Sequence, residues 1–455
     1  MVEHVTDNDE AEGSIPSARI MNYEIIGGKK LSGEVATNTS KNAAVAMLAA
    51  SLLNKGTTTL RRMPRIEEAK RLIEVMRSIG VSVEWAENGN ILITPPEHFD
   101  LEKIDRKAAE MTRSIALFIA PLAHALGSFA LPAPGGCDLG KRSLGPHIDA
   151  LARLGIEVRG DEESHTYRVE TKEMHAAEIV MYEASDTGTE NVLIAAAKIP
   201  GKTTIKFASS NYMVQDLCVF LQQMGVCIEG IGTSTLVVQG IADINAHVTG
   251  IPSEDPIESM FFVALAATTK SELKIERCPI DFLELELYTL RHMGLSIECS
   301  PPYVGENGHT KLVDITVHPS SELRAPPEKV AAKPYPGINF DNLPYFVPVA
   351  TQAKGETLIH DWAYETRAKY YMELNKLGAD ITLLDPHRAL VKGPTKLHGA
   401  TIDAPPAFRP ASIILIAMLA AGGESLLRNV YPISRGYENL HERLKALGAS
   451  IEALD

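Results

Sequence analysis

The hydrophobic pattern of the chain repeats six times, at intervals of roughly 70 to 85 residues. Each copy contains a leucine or methionine, then a hydrophobic residue followed by glycine, and then a short stretch in which polar and apolar residues alternate. The six glycines are Gly80, Gly155, Gly225, Gly294, Gly378 and Gly448. A glycine at this point is typical of a left-handed residue that closes a helix, and the alternation after it predicts a β-strand.

An apolar, alanine-rich segment precedes each of these phrases and predicts a helix that is buried on all sides. Residues 44–53 and 413–421 are clear copies, and a turn with a short β-branched strand follows each of them. The second helix of each copy mixes polar and apolar residues, so we expect it to be amphipathic and to face the surface. The repeating unit is therefore strand–helix–strand–helix–strand.

Six such units predict an α/β protein of two inside-out domains. Each domain would contain three repeats, with the apolar helices inside and the sheets outside. We expect a cysteine-loop domain at residues 43–252, and a second domain formed by residues 21–42 together with 253–455. Residues 1–20 are acidic and polar, which predicts a disordered tail. The active site is expected in the cleft between the domains.

Composition narrows the class of protein. The 455 residues are 45% apolar and 22% charged, as in soluble globular proteins, and the net charge is −14. That charge argues against binding to nucleic acid or to an anionic membrane, because it repels phosphate groups. The five cysteines contain no CxxC pair, which indicates neither a disulfide framework nor a zinc site and favours the cytoplasm.

Candidate chemistry begins with residues 134–142, where two glycines precede Cys137 and a Lys-Arg pair follows it. The cations favour a thiolate, whereas the adjacent Asp138 favours the thiol, so the group could be poised near neutral pH. A buried structural cysteine beside an ordinary turn is the alternative.

Further charged residues lie at the junctions where the buried helices begin. A cation at the start of an apolar helix is poorly explained by packing, and several together would form a local anion site. The candidates are Lys41, Arg113, Arg367, Arg409 and Arg435. For each arginine an ordinary salt bridge is the alternative. Asp341 lies at the same kind of junction, before a buried helix, and is a possible general base or, alternatively, a helix cap. His147 is a candidate for capping or for hydrogen bonding to a ligand.

The chain resembles the enolpyruvyl transferases, and among them those that act on UDP-N-acetylglucosamine. The likeness runs from about Tyr23 to Asp455. It is carried by residues 40–44, by Cys137 with residues 140–142, by residues 334–337 with Asp341, and by residues 435–438. The resemblance implies transfer of enolpyruvate from phosphoenolpyruvate to a sugar hydroxyl, between two domains that close on the substrate, without a metal or cofactor.

The resemblance also implies roles for individual residues. Cys137 would protonate the methylene carbon of phosphoenolpyruvate, and Asp341 would take the hydroxyl proton. Lys41, Arg142 and Arg435 would hold the phosphate and carboxylate groups, with Arg113, Arg367 and Arg409 lining the cleft. The residues expected near the nucleotide sugar are Asn42, Ser143, Leu144, Gly145, Pro146, His147, Ser185, Ala363 and Tyr364.

Several positions depart from the family's usual pattern. Residues 143–146 lack an aspartate that the family has, Asp186 replaces a valine, Pro256 replaces an arginine, and Leu343 replaces a glutamine. Three hypotheses follow for the acceptor: UDP-N-acetylglucosamine, another nucleotide sugar or hydroxyl compound, or a weakly active paralogue that binds a nucleotide sugar as a regulator. The intact charged residues and Cys137 argue against the third.

Overall fold

A computed structural model of the chain describes residues 21–86, 89–133, 144–320 and 322–454. The α-helices are α1 (Lys41–Ser51), α2 (Glu67–Ser78), α3 (Arg106–Glu110), α4 (Ile119–Ala123), α5 (Gly145–Ala152), α6 (Asp186–Ala197), α7 (Tyr212–Gln223), α8 (Pro256–Thr269), α9 (Glu284–His292), α10 (Phe346–Ala350), α11 (Phe408–Ala420), α12 (Tyr431–Ser434) and α13 (Leu440–Ala446). Turns of 3₁₀ helix span Leu101–Lys103, Arg113–Phe118, Ile280–Phe282, Leu343–Tyr345 and Ala368–Leu377.

In the same ranges the strands form six sheets. The strands are β1 (Asn22–Gly27), β2 (Ser32–Ala36), β3 (Thr58–Leu60), β4 (Ser82–Trp85), β5 (Ile91–Thr94), β6 (Ser128–Pro132), β7 (Ile156–Asp161), β8 (Thr166–Thr171), β9 (Glu178–Val180), β10 (Gly201–Lys206), β11 (Cys227–Glu229), β12 (Thr235–Gly240), β13 (Val248–Gly250), β14 (Glu272–Pro279), β15 (Ser296–Cys299), β16 (Tyr303–Val304), β17 (Lys311–His318), β18 (Leu323–Arg324), β19 (Val330–Ala331), β20 (Ala353–His360), β21 (Asp380–Asp385), β22 (Arg388–Gly393), β23 (Thr401–Asp403), β24 (Gly423–Arg428) and β25 (Ser450–Leu454).

The predicted repeat is confirmed by the backbone at its six glycines. Their φ angles are 96°, 86°, 96°, 92°, 90° and 91° in chain order, all in the left-handed region. A glycine has no Cβ to clash there, so it closes the helix at little cost. The strand expected after each glycine is present as β4, β7, β11, β15, β21 or β25. The chain is an α/β protein with the repeats that the hydrophobic pattern indicates.

The first helix of each repeat is the buried one. Every residue of α8 from Pro256 to Thr268 is buried, as is every residue of α11 from Phe408 to Leu419. In the second and fifth repeats this helix is partly 3₁₀. Pro121 and Pro348 lie in those two segments, and a proline removes one hydrogen bond and crowds the preceding turn.

The expectation of exposed second helices holds for α2, whose polar face carries ion pairs, but it is wrong for α7. Eight of the twelve residues of α7 are buried, among them Tyr212 and Asp216. The helix packs against the start of α1, which carries Ser40 and Asn42, and this contact covers a face that the sequence pattern left open.

Two connections between the sheets run side by side. β2 does not pair with β3, the next strand in sequence, but with β14. Likewise β13 does not pair with β14, the next strand in sequence, but with β3. The crossing segments are hydrogen-bonded: the Ser40 amide donates to Ser253 (2.8 Å), and the Asp255 amide donates to Asn38 (2.8 Å). These pairings support the predicted domains, residues 43–252 and residues 21–42 with 253–455, and that division remains a prediction.

None of the helices in the described ranges combines the length and the apolarity that a membrane span requires.

Candidate active site

The start of α1 is tied to α7 through Ser40. Its side chain accepts hydrogen bonds from the amides of Asn42 (3.1 Å) and Ala43 (3.3 Å), as the predicted cap. The same hydroxyl donates to the phenol of Tyr212 (3.0 Å), and the Asn42 side chain approaches that phenol at 3.4 Å. Lys41 is the first residue of α1, so its position is set by a capped and packed helix end.

Asp341 lies between two arginines. One oxygen of its carboxylate accepts from Arg367 Nη1 (3.4 Å), and the other accepts from Arg409 Nη2 (3.2 Å). The residue at the cap position of the following 3₁₀ turn is Asn342, whose side chain makes no capping bond. The two arginines hold the carboxylate of Asp341, and its role as a general base stays a prediction.

Arg367 is fully buried because Asp361 pairs with it through two bonds. Its Nε donates to Asp361 Oδ2 (2.6 Å) and its Nη2 donates to Oδ1 (2.8 Å). Tyr371 donates to the same carboxylate (2.5 Å), and the ring of Tyr364 stacks 4.0 Å from the guanidinium. A buried, paired arginine of this kind is a rigid support for Asp341.

Arg409 begins α11 and is 5% exposed. Its guanidinium lies 4.2 Å from the ring of Phe408, and its Nη1 donates to the phenol of Tyr437 (3.4 Å). The phenols of Tyr437 and Tyr345 are hydrogen-bonded to each other (2.5 Å). The arginine is thus enclosed by aromatic residues, with one edge directed at Asp341.

Arg435 pairs with Glu68, a residue of α2. The distance between Arg435 Nη2 and Glu68 Oε2 is 2.9 Å, and Glu68 Oε1 accepts from the hydroxyls of Ser114 (3.0 Å) and Thr112. Burial raises the pKa of Glu68, but the charges of Lys41 and Arg435 outweigh it and hold that pKa below its usual value. Arg113 lies between the two hydroxyl donors in sequence.

His147 is buried in α5, beside Arg113. The side-chain amide of Asn191 donates both to the carbonyl of Ala116 (3.1 Å) and to His147 Nδ1 (3.0 Å), so Nδ1 is the acceptor of a neutral ring. Burial and, to a smaller extent, the charge of Arg113 together lower the pKa of His147 to about 4. His147 is therefore an uncharged hydrogen-bonding residue.

Ser185 and Asp186 open α6. Ser185 caps the helix through the amide of Gly188 (3.2 Å). Asp186 accepts from Ser209 Oγ (2.5 Å) and from Asn211 Nδ2 (3.2 Å). Burial raises the pKa of Asp186, and the charge of Asp341 raises it further.

Asp186 and its two hydrogen-bond donors line one wall of a narrow cleft. The opposite wall includes Phe282, Lys333, Tyr335, Asn339 and Phe340. The cleft therefore brings polar groups from the starts of α6 and α7 to face residues of the second predicted domain.

The remaining predicted residues are distributed as follows. Leu144 is buried at the cap position of α5, and Gly145 and Pro146 form its first turn. Ala363 is exposed in the turn that leads to Tyr364. Cys137, Arg142 and Ser143 lie outside the described residues, so their roles stay predictions.

Two acids that organise this site were not predicted. Asp361 and Glu68 are fully or almost fully buried, yet both belong to segments that resemble ordinary polar sequence. A buried carboxylate is costly unless it is paired, which makes each a strong signal in the structure. The sequence alone does not indicate which carboxylate is buried, because Glu67 and Glu68 are adjacent and identical residues on an amphipathic helix.

Comparison with known proteins matches this chain to one family. Residues 25–444 match the family model of EPSP synthase (3-phosphoshikimate 1-carboxyvinyltransferase). A protein of Bradyrhizobium diazoefficiens named UDP-N-acetylglucosamine 1-carboxyvinyltransferase is 34% identical, over 94% of this chain and 97% of that protein. A protein of Treponema pallidum with the same name is also 34% identical, over 94% of this chain and 98% of its own length.

Solved structures agree with this match at the level of the fold. The enolpyruvyl transferase NikO from Streptomyces tendae superimposes with a TM-score of 0.83 at 24% identity, covering 96% of this chain and 99% of that one. EPSP synthase from Acinetobacter baumannii gives a TM-score of 0.73 at 18% identity, covering 96% and 100%. The expected enolpyruvyl transferase fold is thereby confirmed.

Proposed function

Because the chain belongs to the EPSP synthase family of enolpyruvyl transferases, we propose that it transfers enolpyruvate from phosphoenolpyruvate to the 3′-hydroxyl of UDP-N-acetylglucosamine. Relatives about 34% identical over 94% of the chain bear the name of that activity. The reaction would be the first committed step of peptidoglycan precursor synthesis, carried out in the cytoplasm on these two small molecules. Neither nucleic acid nor a membrane is a proposed partner.

One observation carries the proposal. A carboxylate, Asp341, is held by Arg367 and Arg409, while Lys41 and Arg435 supply positive charge around Glu68. Phosphoenolpyruvate is a small anion with both a phosphate and a carboxylate group, and an acidic protein can bind it only where cations are concentrated. Preorganised cations also stabilise charge that develops during the reaction.

The proposed chemistry is an addition followed by an elimination. The acceptor hydroxyl oxygen bonds to C2 of phosphoenolpyruvate, its proton passes to the carboxylate of Asp341, and the Cys137 thiol protonates C3. The thiolate left on Cys137 then takes a proton back from C3 of the tetrahedral ketal, the C2–C3 double bond re-forms, and the C2–O bond to phosphate breaks. Phosphate leaves, and the enol ether remains on the acceptor. Lys41, Arg142 and Arg435 would hold the phosphate and carboxylate groups throughout.

A phosphate-release assay tests this function. Purified protein is incubated with phosphoenolpyruvate and, separately, with UDP-N-acetylglucosamine, other nucleotide sugars and simple hydroxyl compounds. Release with UDP-N-acetylglucosamine supports the proposal, and release only with another acceptor supports the second hypothesis. Nucleotide-sugar binding without any release would support the regulatory paralogue and contradict the transferase.

Cys137→Ala tests the proposed acid. We expect phosphate release to fall by about 10²-fold or more, because general acid catalysis typically contributes that much, while nucleotide-sugar binding is retained. Cys137→Asp should keep activity, since a carboxylic acid can also donate the proton. The control is Cys227→Ala, at an exposed cysteine of β11. Unchanged turnover in Cys137→Ala would remove the acid role.

Asp186 favours a second candidate, transfer to a different acceptor. Its carboxyl group lines the cleft at the start of α6, where a negative group repels phosphate and attracts a hydrogen-bond donor. If a different acceptor depends on this acid, Asp186→Val should raise the KM for that acceptor at least about 10-fold. If the acceptor is UDP-N-acetylglucosamine, its KM should change no more than in the control Glu183→Gln, at an exposed acid three residues earlier.

A further inference from the structure

Glu68 differs from the other acids of its helix. Glu67 and Glu74 pair with Arg71 on the outer face of α2, at 2.9 and 2.7 Å. Glu68 is turned inward and is only 3% exposed. A single helix therefore carries both partly exposed ion pairs and one buried carboxylate.

The partners of Glu68 come from three distant parts of the chain. Arg435 approaches Oε2 at 2.9 Å across 367 positions of sequence, and Ser114 and Thr112 donate their hydroxyls to Oε1. The positive charge of Lys41, at the start of α1, also acts on this carboxylate. Glu68 thus lies where three of the predicted cation-bearing segments meet, two of them predicted to hold phosphoenolpyruvate and one, with Arg113, predicted to line the cleft.

A purely structural role explains this arrangement poorly. Burying an ion pair costs desolvation, and an apolar pair of similar volume commonly stabilises a fold as well or better. A buried carboxylate at this place is explained if Glu68 holds the charged guanidinium of Arg435 in a fixed position next to a ligand. The neighbouring contact between the Arg65 amide and Glu438 (2.8 Å) would still join the two segments without it.

We propose that Glu68 is a positioning residue for phosphoenolpyruvate, holding Arg435 and the Thr112–Ser114 turn beside Lys41 so that the cations converge before the substrate binds. This role rests on the proposed use of phosphoenolpyruvate, but not on the identity of the acceptor. Glu68 itself does not contact the reacting atoms; it acts through the guanidinium of Arg435 and through the segment that carries Arg113.

The test compares Glu68→Gln, Glu68→Asp and a matched control, Glu74→Gln, which removes an ion pair from the same helix. Steady-state kinetics give kcat and the KM for phosphoenolpyruvate, calorimetry gives the Kd for phosphoenolpyruvate and for UDP-N-acetylglucosamine, and thermal unfolding reports on folding. We expect Glu68→Gln to raise the KM and Kd for phosphoenolpyruvate about 10- to 100-fold, with less than about 2-fold change in the Kd for the nucleotide sugar. Glu68→Asp, which keeps the charge, should recover part of the loss.

Two results would overturn the role of Glu68 alone. One is that Glu68→Gln has the same KM and Kd for phosphoenolpyruvate as the control Glu74→Gln, while the wild type binds phosphoenolpyruvate. The other is a lowered midpoint of unfolding in both Glu68 variants with an unchanged KM, which is a structural ion pair only. If Glu68→Gln does not fold, an unchanged KM in Glu68→Asp overturns the role in the same way. Wild-type protein that binds no phosphoenolpyruvate would instead overturn the proposed function, and this role with it.

Discussion

Single charged side chains in the cleft are each held by partners from other elements. Asp341 contacts Arg367 and Arg409, and Arg367 is in turn fixed by Asp361. A carboxylate held on two sides keeps a fixed orientation, which favours proton transfer from a hydroxyl within hydrogen-bond reach. The chemistry at this scale depends on how well each charge is positioned.

Asp341→Asn should lower kcat about 10²- to 10⁴-fold, because the amide cannot take the hydroxyl proton. The Kd for the acceptor should change much less, since the amide keeps one hydrogen-bond acceptor. Steady-state kinetics and calorimetry make the comparison, with Asp380→Asn as the control at an exposed position of β21. Equal kcat in the two variants would contradict a role for Asp341 as base.

His147 should make the protein less stable as the pH falls. Its pKa is about 4 in the fold against 6.5 ordinarily, so below pH 6.5 the unfolded state binds more protons. The free energy of unfolding keeps its full value with respect to this group above pH 6.5. It decreases as the pH falls to about 4, by at most a value on the order of 3 kcal/mol.

Urea unfolding at pH 7 and pH 5 measures this effect. His147→Gln should lose less stability than the wild type between the two values, whereas His98→Gln, at an exposed site, should behave as the wild type. Comparison of variant with wild type removes the contribution of His124, whose pKa burial also lowers to about 4. A wild-type pH dependence in His147→Gln would contradict the prediction.

The repeats are built from elements that meet very closely where a buried helix ends. Gly240, at the end of β12, has its α-carbon against the last turn of α6, and Gly393 has the same relation to α10. A Cβ at Gly240 would lie 2.1 Å from the carbonyl oxygen of Ile199 and 2.3 Å from that of Ala196. The strand can approach the helix end only because no side chain intervenes.

Gly240→Ala should therefore destabilise the protein by about 2 kcal/mol or more, since backbone atoms would have to move. The control is Gly127→Ala, where a Cβ would meet no atom within 4 Å and φ is not positive. Urea unfolding of both variants gives the difference. Equal free energies of unfolding would contradict the close approach.

For the whole molecule, the position of charge matters more than its sum. The net charge is −14, yet Lys41 and Arg435 both act on one buried carboxylate, Glu68, which also accepts from the hydroxyls on either side of Arg113 in sequence. Side chains also join the two predicted domains: His309 bonds to Asp216 at 2.7 Å, and Ser210 donates to the carbonyl of Tyr335 (3.4 Å). Because the cleft is narrow in this arrangement, we expect that the predicted domains separate when a substrate enters.

Small-angle scattering should detect that movement. The free protein is expected to have a larger radius of gyration than the structure, and addition of UDP-N-acetylglucosamine should reduce it. Inorganic phosphate at the same ionic strength is the control. An unchanged radius of gyration on addition of the acceptor would indicate a rigid particle and contradict domain closure.

The repeat, the order of its helices and strands, and the six left-handed glycines could all be predicted from the sequence. The clustering of charged residues at the junctions could be predicted as well. These features depend on backbone sterics and on the period of apolar residues, which are local properties of neighbouring positions. The resemblance added expected roles for Lys41, Asp341 and Arg435, and those roles stay predictions.

Which charges meet could be learned only from the folded chain. The pairing of Glu68 with Arg435 and the burial of α7 depend on segments that are remote in sequence. The support of Arg367 by Asp361 depends on the conformation of the turn between them. An ion pair acts over a few ångströms, so its partners are set by packing and not by spacing along the chain. For that reason the sequence pointed to the residues of the site, and the fold determined how they are held.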